Sequence, residues 1–234
     1  MPASLFSSLL HIIFPSRCPG CGRLAVIYCP SCLETAASAP LPPFCAECGG
    51  AYGVPCCHDS APCFAAAAHD DAARRFILAL KYENMRGLGA VMGRRMAALF
   101  ERVEADMLIP LPLHRGSRRA YNQTELLARG VGESWAIPVE AEALKWKAER
   151  KPQTSKKAFE RKSLSFDSFE ASRIVSGRRV ILVDDVYTTG GTVRAAKFAL
   201  QRAGAEVAAV LVWTRRIRGA EHPAGWPDEA LIEP

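Results

Sequence analysis

The sequence predicts an α/β fold: a parallel sheet with helices on both faces, preceded by a small cysteine-rich module. Three observations carry this reading. All nine cysteines fall between Cys18 and Cys63. From Met107 onward, short apolar runs alternate with segments of helical spacing, the pattern of parallel strands joined by crossover helices. Finally, Val180–Thr192 reads as a buried strand that ends in two acids and a glycine–threonine loop.

The chain has 234 residues, enough for one α/β core and an appended module. Composition divides it into a cysteine-rich segment at 1–64, the α/β part at 65–216, and a tail at 217–234 rich in Pro, Gly and charge, expected to be partly disordered. Leu5, Phe6, Leu9, Leu10 and Ile13 repeat at helical spacing before Pro15. They predict a short amphipathic helix, and the absence of a basic flank and a small-residue cleavage site argues against a signal peptide. No run approaches the ~20 apolar residues of a membrane span. The expectation is a cytoplasmic protein with no membrane partner. The net charge of +6 suits phosphate-rich ligands and also nucleic acid, but demands neither.

In the cytoplasm, clustered cysteines point to metal ligation before disulfides. Cys18, Cys21, Cys29 and Cys32 form two Cys-x₂-Cys pairs, the spacing of a Cys₄ zinc site. Cys45 and Cys48 make a third pair. Its partners for a second zinc come from Cys56, Cys57, His58 and Cys63, with Cys57 plus Cys63 or Cys56 plus Cys63 both open, and an empty site or exchange of ligands between the two ribbons as further alternatives. Zinc here would be structural, because a short Pro-rich segment cannot build its own core.

The elements of the second part follow in order. Phe76, Ile77 and Leu80 mark one helical face, and Leu88, Val91, Met92 and Leu99 another. Met107–Pro110 reads as a buried strand. Asn122–Gly130 reads as a helix with Asn122 as N-cap and Glu125 three residues on. Arg179–Asp184 is a strand, Thr192–Ala203 a helix closed by Gly204, and Glu206–Trp213 the next strand.

The stretch from Val180 to Thr192 carries the chemistry. Its acids Asp184 and Asp185 fall at the C-terminal end of a strand, where open α/β sheets bind ligands. Val186 and Tyr187 lead into Thr188, Thr189, Gly190, Gly191 and Thr192. Hydroxyls, Cβ-free backbone and a helix N-terminus together suit a phosphate. Carboxylates repel phosphate, so the acids suit ribose hydroxyls or Mg²⁺ instead. The description is that of a site for a ribose 5-phosphate.

These residues resemble the phosphoribosyl pyrophosphate (PRPP) motif of type I phosphoribosyltransferases. The resemblance implies that Asp184 and Asp185 hold the ribose hydroxyls with Mg²⁺ nearby, and that Tyr187–Thr192 holds the 5-phosphate. The basic loop after Pro110 carries Arg115, Arg118, Arg119, Asn122 and Gln123 and is placed to hold a pyrophosphate, since arginine grips phosphate bidentately; a solvated basic loop is the plain alternative. A second basic stretch, Lys147–Phe166, includes Arg161. It reads either as a mobile loop that closes over pyrophosphate or as a solvated linker. Asp184, Asp185 and Arg161 are thus the candidate catalytic groups.

Arg119-Ala-Tyr-Asn-Gln123, Leu80-Lys-Tyr82, Gln153 with Arg161 before Phe169, and the cysteine-rich start together resemble the ComF/GntX family, whose N-terminal module is a double zinc ribbon. Ala120 and Tyr121 stand where that family has Gly and Phe, and Ser163 and Leu164 where it has Arg and Asn. The resemblance implies PRPP binding, with two functional expectations. One is phosphoribosyl transfer to an unknown acceptor. The other is a non-catalytic factor for DNA uptake in natural transformation, binding single-stranded DNA beside a competence helicase, with Tyr121, Trp146 and Phe159 as base-stacking candidates, although aromatic residues of this kind are more often core.

Overall fold

A computed structural model describes residues 16–24, 27–53, 60–114, 117, 119–147 and 167–217. The expected helix before Pro15, Cys56, Cys57, His58, Arg115, Arg118, Gln153, Phe159, Arg161, Ser163, Leu164 and the tail beyond 217 lie outside the described residues. The described residues form seven strands: β1 (Phe44–Cys45), β2 (Pro62–Ala68), β3 (Met107–Pro110), β4 (Leu144–Trp146), β5 (Phe169–Ala171), β6 (Arg179–Tyr187) and β7 (Glu206–Arg215). The helices are α1 (Pro30–Ala36), α2 (Asp71–Tyr82), α3 (Gly87–Leu99), α4 (Gln123–Trp135) and α5 (Gly191–Arg202).

The main sheet runs β1-β2-β7-β6-β3. Strands β2, β7, β6 and β3 are parallel, and β1 joins the edge antiparallel to β2. Alternation within each strand fills two separate cores. Val180 and Leu182 of β6, with Val210 and Val212 of β7, face α5 and the small β4–β5 ribbon. Ile181 and Val183, with Leu211 and Trp213, face α2, α3 and α4. Helices therefore cover both faces, as expected. Burying each Leu, Ile, Val or Phe here contributes roughly 1.5–3 kcal/mol.

The boundary expected between residues 64 and 65 falls inside β2, because Cys63 and Phe64 pair with Val210 and Leu211 of β7. The cysteine-rich segment and the sheet share that strand.

Three elements differ from their expected limits. Strand β6 does not stop at Asp184 but continues to Tyr187, because β7 also runs on and keeps pairing: Asp184 with Val212, Val186 with Thr214, and Tyr187 with Arg215. For the same reason β7 ends at Arg215 and not at Trp213. Helix α4 passes through Gly130 to Trp135. A Cβ on Gly130 would lie 2.0 Å from the Ala90 carbonyl oxygen, and one on Gly93 would lie 2.0 Å from that of Leu127. These glycines therefore let α3 and α4 touch backbone to backbone, and Gly130 does not end its helix.

Order along the chain differs from order in the sheet. Strands β3 and β6 are neighbours, yet β3 leads into α4 on one face and β6 into α5 on the other. The two connections diverge and leave a crevice beyond the strands' carboxyl ends, the place where open α/β sheets bind ligands.

Candidate functional site

The acid pair occupies this crevice. Asp185 is buried and accepts a hydrogen bond from Gln123 Nε2 at 2.7 Å. Lys81 Nζ lies 2.8 Å from the same carboxylate oxygen. Asp184 uses one carboxylate oxygen to accept the Asp185 backbone N–H at 2.7 Å. Burial, and then the negative charge of Asp185, push the Asp184 carboxyl up to about 8 against the pull of that N–H and of Lys81. A carboxyl in this state is poised to release its proton to solvent when a cation arrives, or to hydrogen-bond a neutral hydroxyl.

Lys81 reaches Asp185 because of how α2 is anchored. Asp70 caps the helix, accepting Ala73 N–H at 2.8 Å. Phe76, Ile77 and Leu80 then bury against the sheet, and Trp213 Nε1 donates to Ala73 O at 3.1 Å. Its last turn delivers Lys81 to the crevice, while the Tyr121 hydroxyl donates to the open Leu80 carbonyl at the helix end. The sequence marked the Leu80–Tyr82 element without giving Lys81 a role. A basic residue in a helix's last turn is its only local signal.

The basic loop is tied at its far end. Asn122 caps α4, accepting Thr124 N–H at 3.2 Å and donating to Leu111 O at 2.9 Å, so its amide is engaged by backbone. Arg119 Nη1 donates to Gln123 Oε1 at 2.6 Å. Arg119, Gln123, Asp185 and Lys81 thus form one polar chain. Lys81, Tyr82, His114, Ser117, Arg119 and Tyr121 line a cavity of about 630 Å³ beside it. Tyr82 is exposed there, with the Arg119 guanidinium 5.9 Å from its ring centre. Arg86 stacks over Tyr121 at 4.7 Å. Trp146 packs on Phe169 with ring centres 4.2 Å apart and donates to Pro112 O at 3.2 Å, which makes it a packing residue at the root of the loop.

The glycine–threonine loop follows β6. Thr188 and Thr189 are exposed, and among the described residues the hydroxyls of Thr188, Thr189 and Thr192 make no hydrogen bond to protein. Helix α5 starts at Gly191, so its first N–H groups open toward the loop. The two glycines have different duties. Gly190 has φ +74° and a Cβ there would lie 2.4 Å from Tyr187 Oη, so the fold itself needs this glycine. Gly191 has no such constraint: its nearest neighbour would be 3.8 Å away.

His69, at the end of β2, was missed. Its Nδ1 lies 2.8 Å from Thr214 Oγ1, and its N–H donates to Arg215 O at 2.9 Å. Burial, helped by Arg216, Arg74 and Lys81, lowers its pKa from the ordinary value, so the ring is neutral at pH 7. Thr214 is distant in sequence, and no local pattern links the two.

The cysteine cluster lies apart from the crevice. The Sγ atoms of Cys18, Cys21, Cys29 and Cys32 all lie within 4.8 Å of one another. Around a tetrahedral zinc, sulfurs sit about 3.8 Å apart, and Cys21 Sγ to Cys29 Sγ is 3.6 Å. The four thiols therefore fit a metal ion such as zinc. Burial opposes ionisation of Cys18, yet the N–H groups of Cys21, Cys29 and Gly20 bring it down to about 6; the Cys21 thiol and burial push Cys29 up to about 12. A bound metal ion would hold its sulfurs as thiolates and release their protons. Gly20 packs on Cys32, where a Cβ would meet Cys32 Cβ at 2.5 Å. Of the second expected set, Cys45 and Cys63 are buried and Cys48 is exposed, while Cys57 lies outside the described residues.

A parallel sheet with an acid pair and a glycine–threonine loop at its switch point defines a phosphoribosyltransferase-type protein. Residues 99–231 match the phosphoribosyl transferase domain family, and the chain belongs to that family. It is similar to the competence protein ComFC of Streptococcus pneumoniae, 32% identical over 100 residues, or 43% of this chain and 43% of that protein. It is similar to the DNA utilization protein YhgH of Escherichia coli, 34% identical over 110 residues, or 46% of this chain and 48% of that one. A shorter stretch of 49 residues is 55% identical to the orotate phosphoribosyltransferase of a Nocardioides species, covering 21% of this chain and 27% of that enzyme. These alignments span less than half of each relative's length. They accord with the ComF/GntX resemblance read from the sequence. Among the described residues, no helix is long and apolar enough to cross a membrane.

Proposed function

We propose that the crevice binds PRPP with Mg²⁺. The 5-phosphate would sit in the loop Thr188–Thr192 on the N–H groups that open α5. The ribose hydroxyls and Mg²⁺ would face Asp184 and Asp185. Arg119, Gln123 and Lys81, joined by the basic side chains at 115, 118 and 161, would receive the pyrophosphate. The observation that carries this reading is the meeting, at one switch point, of an acid pair whose Asp185 is held by Lys81 and Gln123 with a loop whose three threonine hydroxyls make no bond to the described protein. An acid pair alone is no phosphate site and a glycine loop alone is no ribose site. The cysteine-rich segment supplies structural zinc sites, and the protein acts in the cytoplasm. Transfer of the phosphoribosyl group to an acceptor is the reaction this arrangement would serve.

A second reading is favoured by Tyr82, exposed beside Arg119, and by the relatives named for competence and DNA utilization. An aromatic face flanked by cations is a base-stacking platform. In this reading the protein is a non-catalytic factor that binds single-stranded DNA during uptake, together with a competence helicase.

Calorimetric titration with PRPP and Mg²⁺, repeated with single-stranded DNA present, separates the two. PRPP binding lost in the Asp184→Ala, Asp185→Ala double variant supports the first. DNA binding that weakens steeply with salt, with no PRPP binding, supports the second and removes the first.

A further inference from the structure

The Cys45–Gly49 turn is packed against the back of the glycine–threonine loop, and four side chains from the loop's own neighbourhood grip it. Tyr187, the last residue of β6, donates its hydroxyl to Ala46 O at 3.3 Å, with its ring edge-on to Phe44 at 4.9 Å. Arg215, the partner of Tyr187 across the sheet, donates to Gly49 O at 2.5 Å. Lys197, nearly two turns into α5, reaches Glu47 Oε1 at 2.5 Å and Ser60 Oγ at 2.8 Å. Arg194 stands between the two structures. Its Nη1 donates to Glu47 O at 2.8 Å on the turn and to Thr189 O at 2.8 Å in the loop.

We infer that the Cys45–Gly49 turn is a positioning element for the glycine–threonine loop, acting through Arg194, and that it presets the loop for its phosphate. The inference rests on the reading of that loop as a phosphate site. Its physical basis is preorganisation. The loop begins with two exposed threonines and a glycine at positive φ, a sequence with many accessible conformations. Gly190 lies directly on Tyr187 Oη and Arg194 Nη1, where a Cβ would meet them at 2.4 and 2.9 Å. The loop is thus laid on two side chains that are themselves fixed by carbonyls of the turn. Tyr187, Lys197 and Arg215 are all buried, so their contacts with the turn are shielded from competing water, while Arg194 is half-buried and its bond to Thr189 O lies at the surface. Donors held in place before the ligand arrives do not have to be ordered by it. With Glu47 O removed as an anchor, Arg194 swings freely and the loop's carbonyl at Thr189 loses its support.

Docking that only stabilised the fold would affect every ligand alike. The test therefore compares two fragments of PRPP, ribose 5-phosphate and inorganic pyrophosphate, by calorimetry on the full chain. Arg194→Ala is expected to weaken ribose 5-phosphate about tenfold, the scale of one lost charge-assisted hydrogen bond, and to leave pyrophosphate unchanged. Arg194→Lys is expected to recover part of the loss, since an ammonium can reach one carbonyl at a time. Gly49→Ala perturbs the turn from outside Thr188–Thr192, because Gly49 has φ +75° and its Cβ would crowd Arg215 Nη2 at 3.3 Å and lie 3.7 Å from Tyr187 Oη. It is expected to shift ribose 5-phosphate in the same direction. Hydrogen exchange without ligand gives a second readout: Arg194→Ala raises exchange at the amides of Thr188–Thr192 while those of β6 stay protected. Equal weakening of both fragments, or unchanged exchange in the loop, overturns the inference. A wild-type protein that binds no ribose 5-phosphate removes the phosphate reading, and the exchange result then decides the positioning role by itself.

Discussion

Lys81 Nζ lies 2.8 Å from Asp185 Oδ2, joining the last turn of α2 to strand β6 at the mouth of the crevice. Both side chains are largely withdrawn from solvent, 17% and 8% exposed. Asp185 also takes Gln123 Nε2, and the Asp184 carboxyl beside it is pushed up toward neutrality. The site thus places its negative charge on one held carboxylate and keeps a second carboxyl in reserve.

Lys81→Met should leave Asp185 buried without its cation. Breaking a buried pair by removing one partner costs on the order of 3 kcal/mol, which a urea unfolding curve would register as a lower midpoint with unchanged slope. A midpoint that hardly moves would show that the Lys81–Asp185 pair does not hold the fold together.

The raised Asp184 carboxyl gives a pH dependence of known sign. A folded value near 8 against 3.8 for the free side chain means that the folded protein holds a proton the unfolded chain has released across that window. Stability from this group is present below about pH 4 and is lost as pH rises toward 8. Asp184→Asn removes that dependence, so the variant should gain most over the parent near pH 8 in thermal melts. A cation bound at the carboxylate must displace the proton, so Mg²⁺-dependent binding should strengthen up to about pH 8 and release a proton, measurable by calorimetry in buffers of different ionisation enthalpy. A binding enthalpy that is independent of the buffer would refute the assignment.

The two loop glycines should respond differently. Gly190→Ala places a Cβ 2.4 Å from Tyr187 Oη at φ +74° and should destabilise the fold by about 1–3 kcal/mol. Gly191→Ala meets nothing closer than 3.8 Å and should melt like the parent. Circular dichroism melts of the two variants decide this. A PRPP affinity that also falls in Gly191→Ala would show that a ligand needs the space the missing Cβ leaves.

Metal content tests the cysteine tetrad. Cys29→Ser should reduce bound zinc by about one equivalent per chain, because a Cys₄ site is closed and has no spare ligand. Elemental analysis after dialysis reads it directly. Unchanged zinc would exclude Cys18, Cys21, Cys29 and Cys32 as a metal site.

What the sequence determined by itself is what short-range pattern encodes. The apolar run at Val180–Val183, the Asn122 cap, the apolar face Phe76–Ile77–Leu80 and the Cys₄ spacing each lie within a few residues, where helix period, strand composition and ligand spacing act directly. The glycine–threonine loop was legible for the same reason. The fold alone decided which distant groups meet. Lys81 and Gln123 converge on Asp185, His69 meets Thr214, and Arg194 spans Thr189 and Glu47 because the crossover connections bring β2, β7, β6 and β3 side by side in an order unlike that of the chain. Gly130 shows the limit most plainly. Locally it reads as a helix stop, and only the α3 backbone pressed against it, with Ala90 O 2.0 Å from where a Cβ would stand, makes it a point of contact within a continuing helix. Local pattern fixes which residues form an element. Packing between elements fixes how far that element runs and what its side chains touch.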